Sequence, residues 1–297
     1  MVGHRPLKPS IMVRVHVPQP ERVSIIFSLL YNHLMSDKEI FSTNDESISR
    51  RDFLEKSAKL LATACVMPVI KNISGYSESV TSNEPSEEEI DFIAKHEIVQ
   101  GDTSRNVVMM TYDDMGSEEQ IEQILSAYRP YPDCKATFFY LGDKLEWSAK
   151  SIQKIVDEGH LLGSHFWNHS QMSTLSSDRI KRWFELNIST LEKIVPGYRM
   201  KYFRMPYGDG VSDERILKVA AQFGLQHVYW TTGSNGLVPD TYQKVLWAAK
   251  PGAIILSHMF RRYDYTQANL IVEGLLEKGF SLETVDTGKS PADRYIP

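Results

Sequence analysis

Cysteine is nearly absent from this chain: Cys65 and Cys134 are the only two in 297 residues, which excludes a disulfide framework. A basic excess is missing too. With 33 Lys and Arg against 38 Asp and Glu, the formal charge of −5 provides no positive field to hold phosphates, so nucleic acid is excluded as a partner. No internal repeat is visible, and no apolar run reaches the roughly 20 residues of a stable membrane span. What is present is a 42% apolar share, enough for a core, and a length that suits one large domain or two ordinary ones.

The first hundred residues read mostly as an address. In "SISRRDFLEKSAKLLATACVMPVI", Arg50 and Arg51 precede Phe53, Leu54 and an apolar run from Leu60 to Ile70 that only Pro68 breaks. A basic region before a short hydrophobic one reads as an export signal, and S-R-R-x-F-L gives it a twin-arginine character. An exposed amphipathic helix is the plainer alternative. On the export reading, residues 35–72 are the signal, Met35 is the start, and residues 1–34 are a dispensable or mis-assigned extension. Residues 73–104 form a polar linker and lead-in, of which "SGYSESVTSNEPSEEE" (74–89) is too poor in large apolar residues to order itself. The expected location is periplasmic or extracellular, with the twin-arginine export machinery as a partner and no stable membrane span in the mature protein. If Cys65 leaves with the signal, Cys134 is the single thiol, a small residue near the start of a strand.

From Asn106 the pattern changes to short β-branched or aromatic runs separated by helical stretches. Strands are predicted at Val107–Thr111, Ala136–Leu141, Leu161–Ser164, Lys201–Phe203, His227–Trp230, Ala253–Leu256 and Phe280–Thr284. Helices are predicted at Glu118–Tyr128, Ser148–Glu158, Asp178–Val195, Asp213–Phe223, Thr241–Ala249 and Gln267–Glu277. Ser212 is placed as a cap with Gly224 closing the helix after it, and Ser177 and Asp178 open the long third helix. Strict alternation implies an α/β fold with about seven parallel strands, a distorted (β/α) barrel closed or nearly so, over residues 105–290. An open doubly wound sheet is the alternative. Either way, reactive residues should cluster past the carboxyl ends of the strands.

The polar residues fall there. Past the first strand come Asp113 and Asp114, whose side chains should point to opposite sides of an extended backbone. His165 and His169 follow the third strand at a spacing that places both imidazoles on one side of a turn. Arg204 follows the fourth and His258 ends the sixth. Each has a plain structural reading: a helix cap, a solvated turn, a surface ion pair, a core histidine. Together they suggest metal-assisted hydrolysis, in which one carboxylate and two imidazoles form an open three-ligand site, a second carboxylate takes a proton from water, and a histidine protonates the leaving group.

At these residues the chain resembles the NodB-homology polysaccharide deacetylases, carbohydrate esterase family four. "TYDDM" (111–115) matches T-F-D-D-G, "GHLLGSHFWNHS" (159–170) the histidine motif, "FRMPYG" (203–208) F-R-x-P-Y-G, and "PGAIILSH" (251–258) the late G-x-I-x-L-x-H motif; "KATFFYLGD" and "LSSDRI" resemble connecting segments. The resemblance implies removal of acetyl groups from N-acetylated or O-acetylated sugars of a polysaccharide such as peptidoglycan or a chitin-like polymer. It implies one divalent metal ion, zinc first, with cobalt, nickel or manganese also compatible, on Asp114, His165 and His169. Asp113 is then the base, oriented by Arg204, and His258 the acid. An oxyanion would meet a backbone N–H near Tyr207. Substrate contacts are expected at Tyr207, Pro206, Trp167 and Leu256, with Trp230 either stacking on sugar or packing in the core. His160 is read as structural and His227 is left without a role.

The chain departs from the family pattern in "WTTGSNGL", where Gly233 and Gly236 stand at the aspartate positions of W-x-x-D-x-x-D-W. Loss of that anion should lower the pKa of His258, giving an acid-shifted optimum or a weaker enzyme. Met115 replaces a glycine, Phe166 a small hydroxyl residue and Ser170 a proline, changes that bear on the substrate rather than the metal. Two other functions fit the same residues: a C–N hydrolase acting on small cyclic amides or ureides, against which the export signal argues, and a carbohydrate-binding pseudoenzyme.

Overall fold

The structure, a computed structural model, describes residues 86–290; the expected extension, the twin-arginine signal and the start of the linker lie outside the described residues. Its strands are β1 (Glu97–Ile98), β2 (Val107–Asp114), β3 (Thr137–Tyr140), β4 (Leu161–Ser164), β5 (Tyr202–Phe203), β6 (Gln226–Val228), β7 (Thr232–Gly233), β8 (Ala253–His258) and β9 (Ser281–Leu282). The helices are α1 (Glu87–His96), α2 (Glu118–Tyr128), α3 (Ala149–Asp157), α4 (Ser177–Ile194), α5 (Glu214–Ala221), α6 (Thr241–Ala248), α7 (Arg262–Thr266), α8 (Ala268–Glu277) and α9 (Val285–Gly288). None of the described helices is long and apolar enough to cross a membrane.

Sheet order is β1-β6-β5-β4-β3-β2-β8-β7, with β9 beside the start of β2, and the ladders are parallel. This is the expected distorted (β/α) barrel, left open between β1 and β7. Strand β2 is its axis. Its residues Val107 to Asp113 are all buried because a parallel strand is covered on both faces. Val108, Met110 and Tyr112 face the helical layer with Ile121, Ile124 and Ile271. Met109 faces inward with Ile98, Phe139, Val228 and Ile254.

The linker reading fails from Ser86 onward. Ser86 Oγ accepts the Glu89 N–H, and Glu87, Glu88 and Glu89 fill the first turn of α1, where the helix dipole favours anions. Ile93 is buried against α4 and α5 residues, and β1 pairs with β6. A run of glutamates that looks like a solvated segment is thus a helix start. Cap details also shift. Asp213, not Ser212, caps α5 by accepting the Arg215 and Ile216 N–H groups, while Ser212 bonds Glu97. Ser176 caps α4, one residue before the expected opening. Gly224 closes α5 with φ 69°, as expected. Strand β6 ends at Val228, and the predicted Tyr229 and Trp230 leave the sheet as a stacked pair. Cys134 is buried just before β3.

Candidate active site

The expected side chains converge at the carboxyl ends of β2, β4, β5 and β8. Arg204 is the best-fixed of them. Fully buried, it donates to Asp113 Oδ1 at 2.8 Å, Thr111 Oγ1 at 2.6 Å, Val228 O at 3.0 Å and Tyr229 O at 3.0 Å. Its guanidinium also lies 4.4 Å from the centre of the Phe139 ring. Thr111 passes the constraint on by donating to Ile255 O at 2.8 Å. Asp113 is therefore held through one oxygen while the other, Oδ2, faces His165 Nε2 at 3.9 Å. Burial raises the Asp113 carboxyl to about 6, and Arg204 opposes that rise.

Asp114 does not point away from Asp113 as strand alternation predicts. Its φ of 72° takes it out of the extended conformation, so both carboxylates enter one pocket. Oδ1 of Asp114 lies 3.2 Å from His169 Nε2 and 3.5 Å from His165 Nε2, and Oδ2 lies 3.9 Å from His258 Nε2. Phe166 (φ 69°) and Tyr207 (φ 60°) carry the same left-handed strain at the ends of β4 and β5. Strain concentrated in three turns around one point is typical of a functional site.

Asp114, His165 and His169 are suited to a cation. Their nearest ligand atoms all lie within 4.8 Å of one another. Asp114 Oδ1 is buried and accepts no hydrogen bond among the described residues. His165 Nδ1 lies 3.0 Å from Arg204 O, and a carbonyl can only accept, so the proton sits on Nδ1 and the Nε2 lone pair faces Asp114. Burial pushes His165 down to about 3, keeping it neutral as a ligand must be. Two ligands with bonds of about 2.1 Å to a tetrahedral ion stand roughly 3.4 Å apart, which matches the carboxylate–imidazole separations.

Other expected contacts divide. The Tyr207 ring stands edge-on to His169 at 4.2 Å and is 63% exposed, and Pro206 opens the same turn. Leu256 lies two residues before His258 on β8, so both side chains share one face. Trp167 packs against Gly142, where an added Cβ would come within 2.6 Å of its ring. Trp230 stacks on Tyr229 at 4.1 Å. His160 is structural: Nδ1 accepts the Ala136 N–H at 3.0 Å, and burial lowers its pKa to about 4. His227, without a role from sequence, pairs through Nδ1 with Glu97 Oε1 at 2.7 Å in the core. Two supports were not anticipated. Asn187 donates to Ser164 Oγ at 2.9 Å and Phe166 O at 2.8 Å, bracing the histidine loop. Asp264 Oδ2 accepts the His258 N–H at 2.8 Å. Neither has a sequence signal, since each lies among other polar residues of a helix and outside the motifs.

Residues 100–228 match the family model described as polysaccharide deacetylase. The chain is 29% identical over 200 residues to the peptidoglycan-N-acetylmuramic acid deacetylase PdaC of Bacillus subtilis, covering 64% of this chain and 42% of that one. The chain thus matches less than half the length of that relative. Among solved structures it is similar to the Bc1960 peptidoglycan N-acetylglucosamine deacetylase at 25% identity and TM-score 0.60, over 67% of this chain and 96% of the other. It shares the fold of BA3943, a CE4 family pseudoenzyme from Bacillus anthracis, at 24% identity and TM-score 0.61, over 79% and 82% of the two chains.

Proposed function

Because residues 100–228 belong to the polysaccharide deacetylase family, we propose that the protein is a metal-dependent hydrolase. It removes acetyl groups from an N-acetylated sugar of a polysaccharide such as peptidoglycan or a chitin-like polymer. The observation that carries this reading is the convergence of Asp114, His165 and His169 beside a second, separately held carboxylate. A divalent ion on those three residues, zinc first, would supply Lewis acidity, bringing the deprotonation of water near neutral pH and polarising an acyl carbonyl.

The protein's own groups do the rest. Asp113, fixed by Arg204 through Oδ1, turns Oδ2 into the pocket and accepts the proton of the attacking water. His258, across the pocket near Asp114 Oδ2, protonates the departing nitrogen, so that amide and water become amine and acetate. The Tyr207 turn, strained at φ 60° against His169, offers a backbone N–H to the developing oxyanion. Tyr207, Pro206 and Leu256 form the sugar-facing wall. Export by the twin-arginine route would bring the enzyme to such a polymer.

A second reading, a carbohydrate-binding pseudoenzyme, draws on Gly233 and Gly236 at the aspartate positions. Acetate release from acetylated sugar oligomers, measured with and without chelator and after zinc is restored, separates the two. Chelator-sensitive release is expected. Binding of the oligomer with no acetate from the zinc-restored protein would establish the pseudoenzyme, and release that ignores the chelator would remove the metal from the scheme.

A further inference from the structure

The proposed acid sits on a strand end that its neighbour does not reach. Strand β7 pairs with β8 only through Thr232↔Ile255 and Gly233↔Leu256, and so leaves the ladder before the level of His258. The chain turns away there through Asn235 (φ 69°) and Gly236 (φ 44°). A backbone N–H left without a strand partner in a largely buried position must find another acceptor. It finds the Asp264 carboxylate of α7, whose Oδ2 accepts it at 2.8 Å. Asp264 is fully buried, with the Ser234 and Ser257 hydroxyls beside it. Gly236 is matched to this arrangement, since a Cβ there would come within 2.3 Å of Asp264 Oδ2. On the following residue, the Met259 N–H donates to Asp113 O at 3.1 Å, tying the same turn to the strand of the base.

We propose that Asp264 is a positioning residue for His258, clamping the end of β8 through the main chain and occupying the space that a side chain at 236 would need. The inference rests on the deacetylase reading for its consequence in catalysis, but the clamp itself can be observed without substrate. A carboxylate that only filled space could be replaced by any residue of similar size. One that holds the His258 N–H needs an acceptor oxygen.

The test compares Asp264→Asn, whose amide oxygen can still accept that N–H, with Asp264→Ala in the zinc-loaded full chain. The Ala variant should lose up to about a hundredfold in kcat with KM within about twofold, the cost of misplacing a reacting group by about 1 Å. The Asn variant should recover most of that loss. Amide hydrogen exchange at His258, read by NMR, should be slow in wild type and Asn and fast in Ala. An Asn variant as slow as Ala in turnover, or an Ala variant as fast as wild type, overturns the proposal. A rapidly exchanging His258 amide in wild type does so too, even if the Ala variant fails to fold. Wild type that releases no acetate while its His258 amide is protected refutes the deacetylase reading and leaves the clamp standing.

Discussion

Asp113 and Asp114 are neighbours with opposed surroundings, and their replacements should behave differently. Asp113 is bound to a cation that cannot leave, Arg204, whereas Asp114 faces two imidazole nitrogens, those of His165 and His169. Asp113→Asn should keep the metal and lose roughly 10²–10⁴-fold in kcat, the usual worth of a general base. Asp114→Ala should lose the metal itself, measured by atomic absorption after dialysis; equal metal content in both variants would refute the division of roles. The pH profile follows from the same pocket. Burial holds the Asp113 carboxyl at about 6, while burial, with the Arg261 and Arg204 guanidinium groups nearby, holds His258 at about 3. Turnover needs Asp113 without a proton and His258 with one. Between the two values a single shared proton sits mostly on Asp113 rather than on His258, the inverse of the productive arrangement. Activity should therefore be low, level from about 3 to about 6, and lost as pH rises past Asp113's value because the last shared proton departs. A profile of kcat/KM that climbs through pH 6 to a neutral plateau would show that His258 need not be protonated.

The least expected element is the α1–β1 segment, which reads as linker yet completes the sheet. Its anchor is Glu97, buried beside His227 at 2.7 Å and bonded by the Ser212 N–H and hydroxyl at 3.0 Å each. Burial pushes this carboxyl upward, but His227 and Ser212 outweigh it and leave it below its ordinary 4.5. Stability from the group is thus fully present above pH 4.5 and is lost as pH falls through the lowered value. Glu97→Ala should cost roughly 1–3 kcal/mol, the usual penalty for leaving buried hydrogen-bonding groups without their partner, and urea melts at neutral pH would measure it. A loss under 1 kcal/mol would mean that β1 contributes little to the fold. The contrast with β2 and β8 shows what a sequence discloses. Those strands are six or more residues long, open with four apolar residues and end in polar ones, so pattern and position identify them. Strands β1 and β7 have two residues each, too few for any period, and they exist because neighbouring strands hold them. The site was legible for the same reason as the long strands: Asp113, Asp114, His165, Arg204 and His258 all lie within recognisable motifs at or just past strand ends. Asp264 was not, because its contact with His258 depends on where β7 stops, and the positive φ of Asp114 was hidden because alternation assumes an extended backbone.

At the scale of the molecule, the cation site exists only when the barrel does. Asp114 ends β2, while His165 and His169 follow β4, and β3 lies between those two strands in the sheet. An unfolded chain cannot present this triad, so the ion binds the native state and its binding free energy adds to folding. At a hundredfold excess over its dissociation constant, the gain is about 2.7 kcal/mol. For a domain of this size, each kcal/mol moves the midpoint by roughly 2–4 °C, so zinc should raise Tm by about 5–10 °C over the chelated protein. The Asp113→Asn variant should show the same rise and Asp114→Ala none. This measurement stands apart from turnover, because a carbohydrate-binding pseudoenzyme with an intact triad would show the thermal shift and release no acetate. Should zinc leave Tm unchanged in wild type while acetate is still released, the three residues are not the ion's site and the hydrolysis must be sought elsewhere on the barrel.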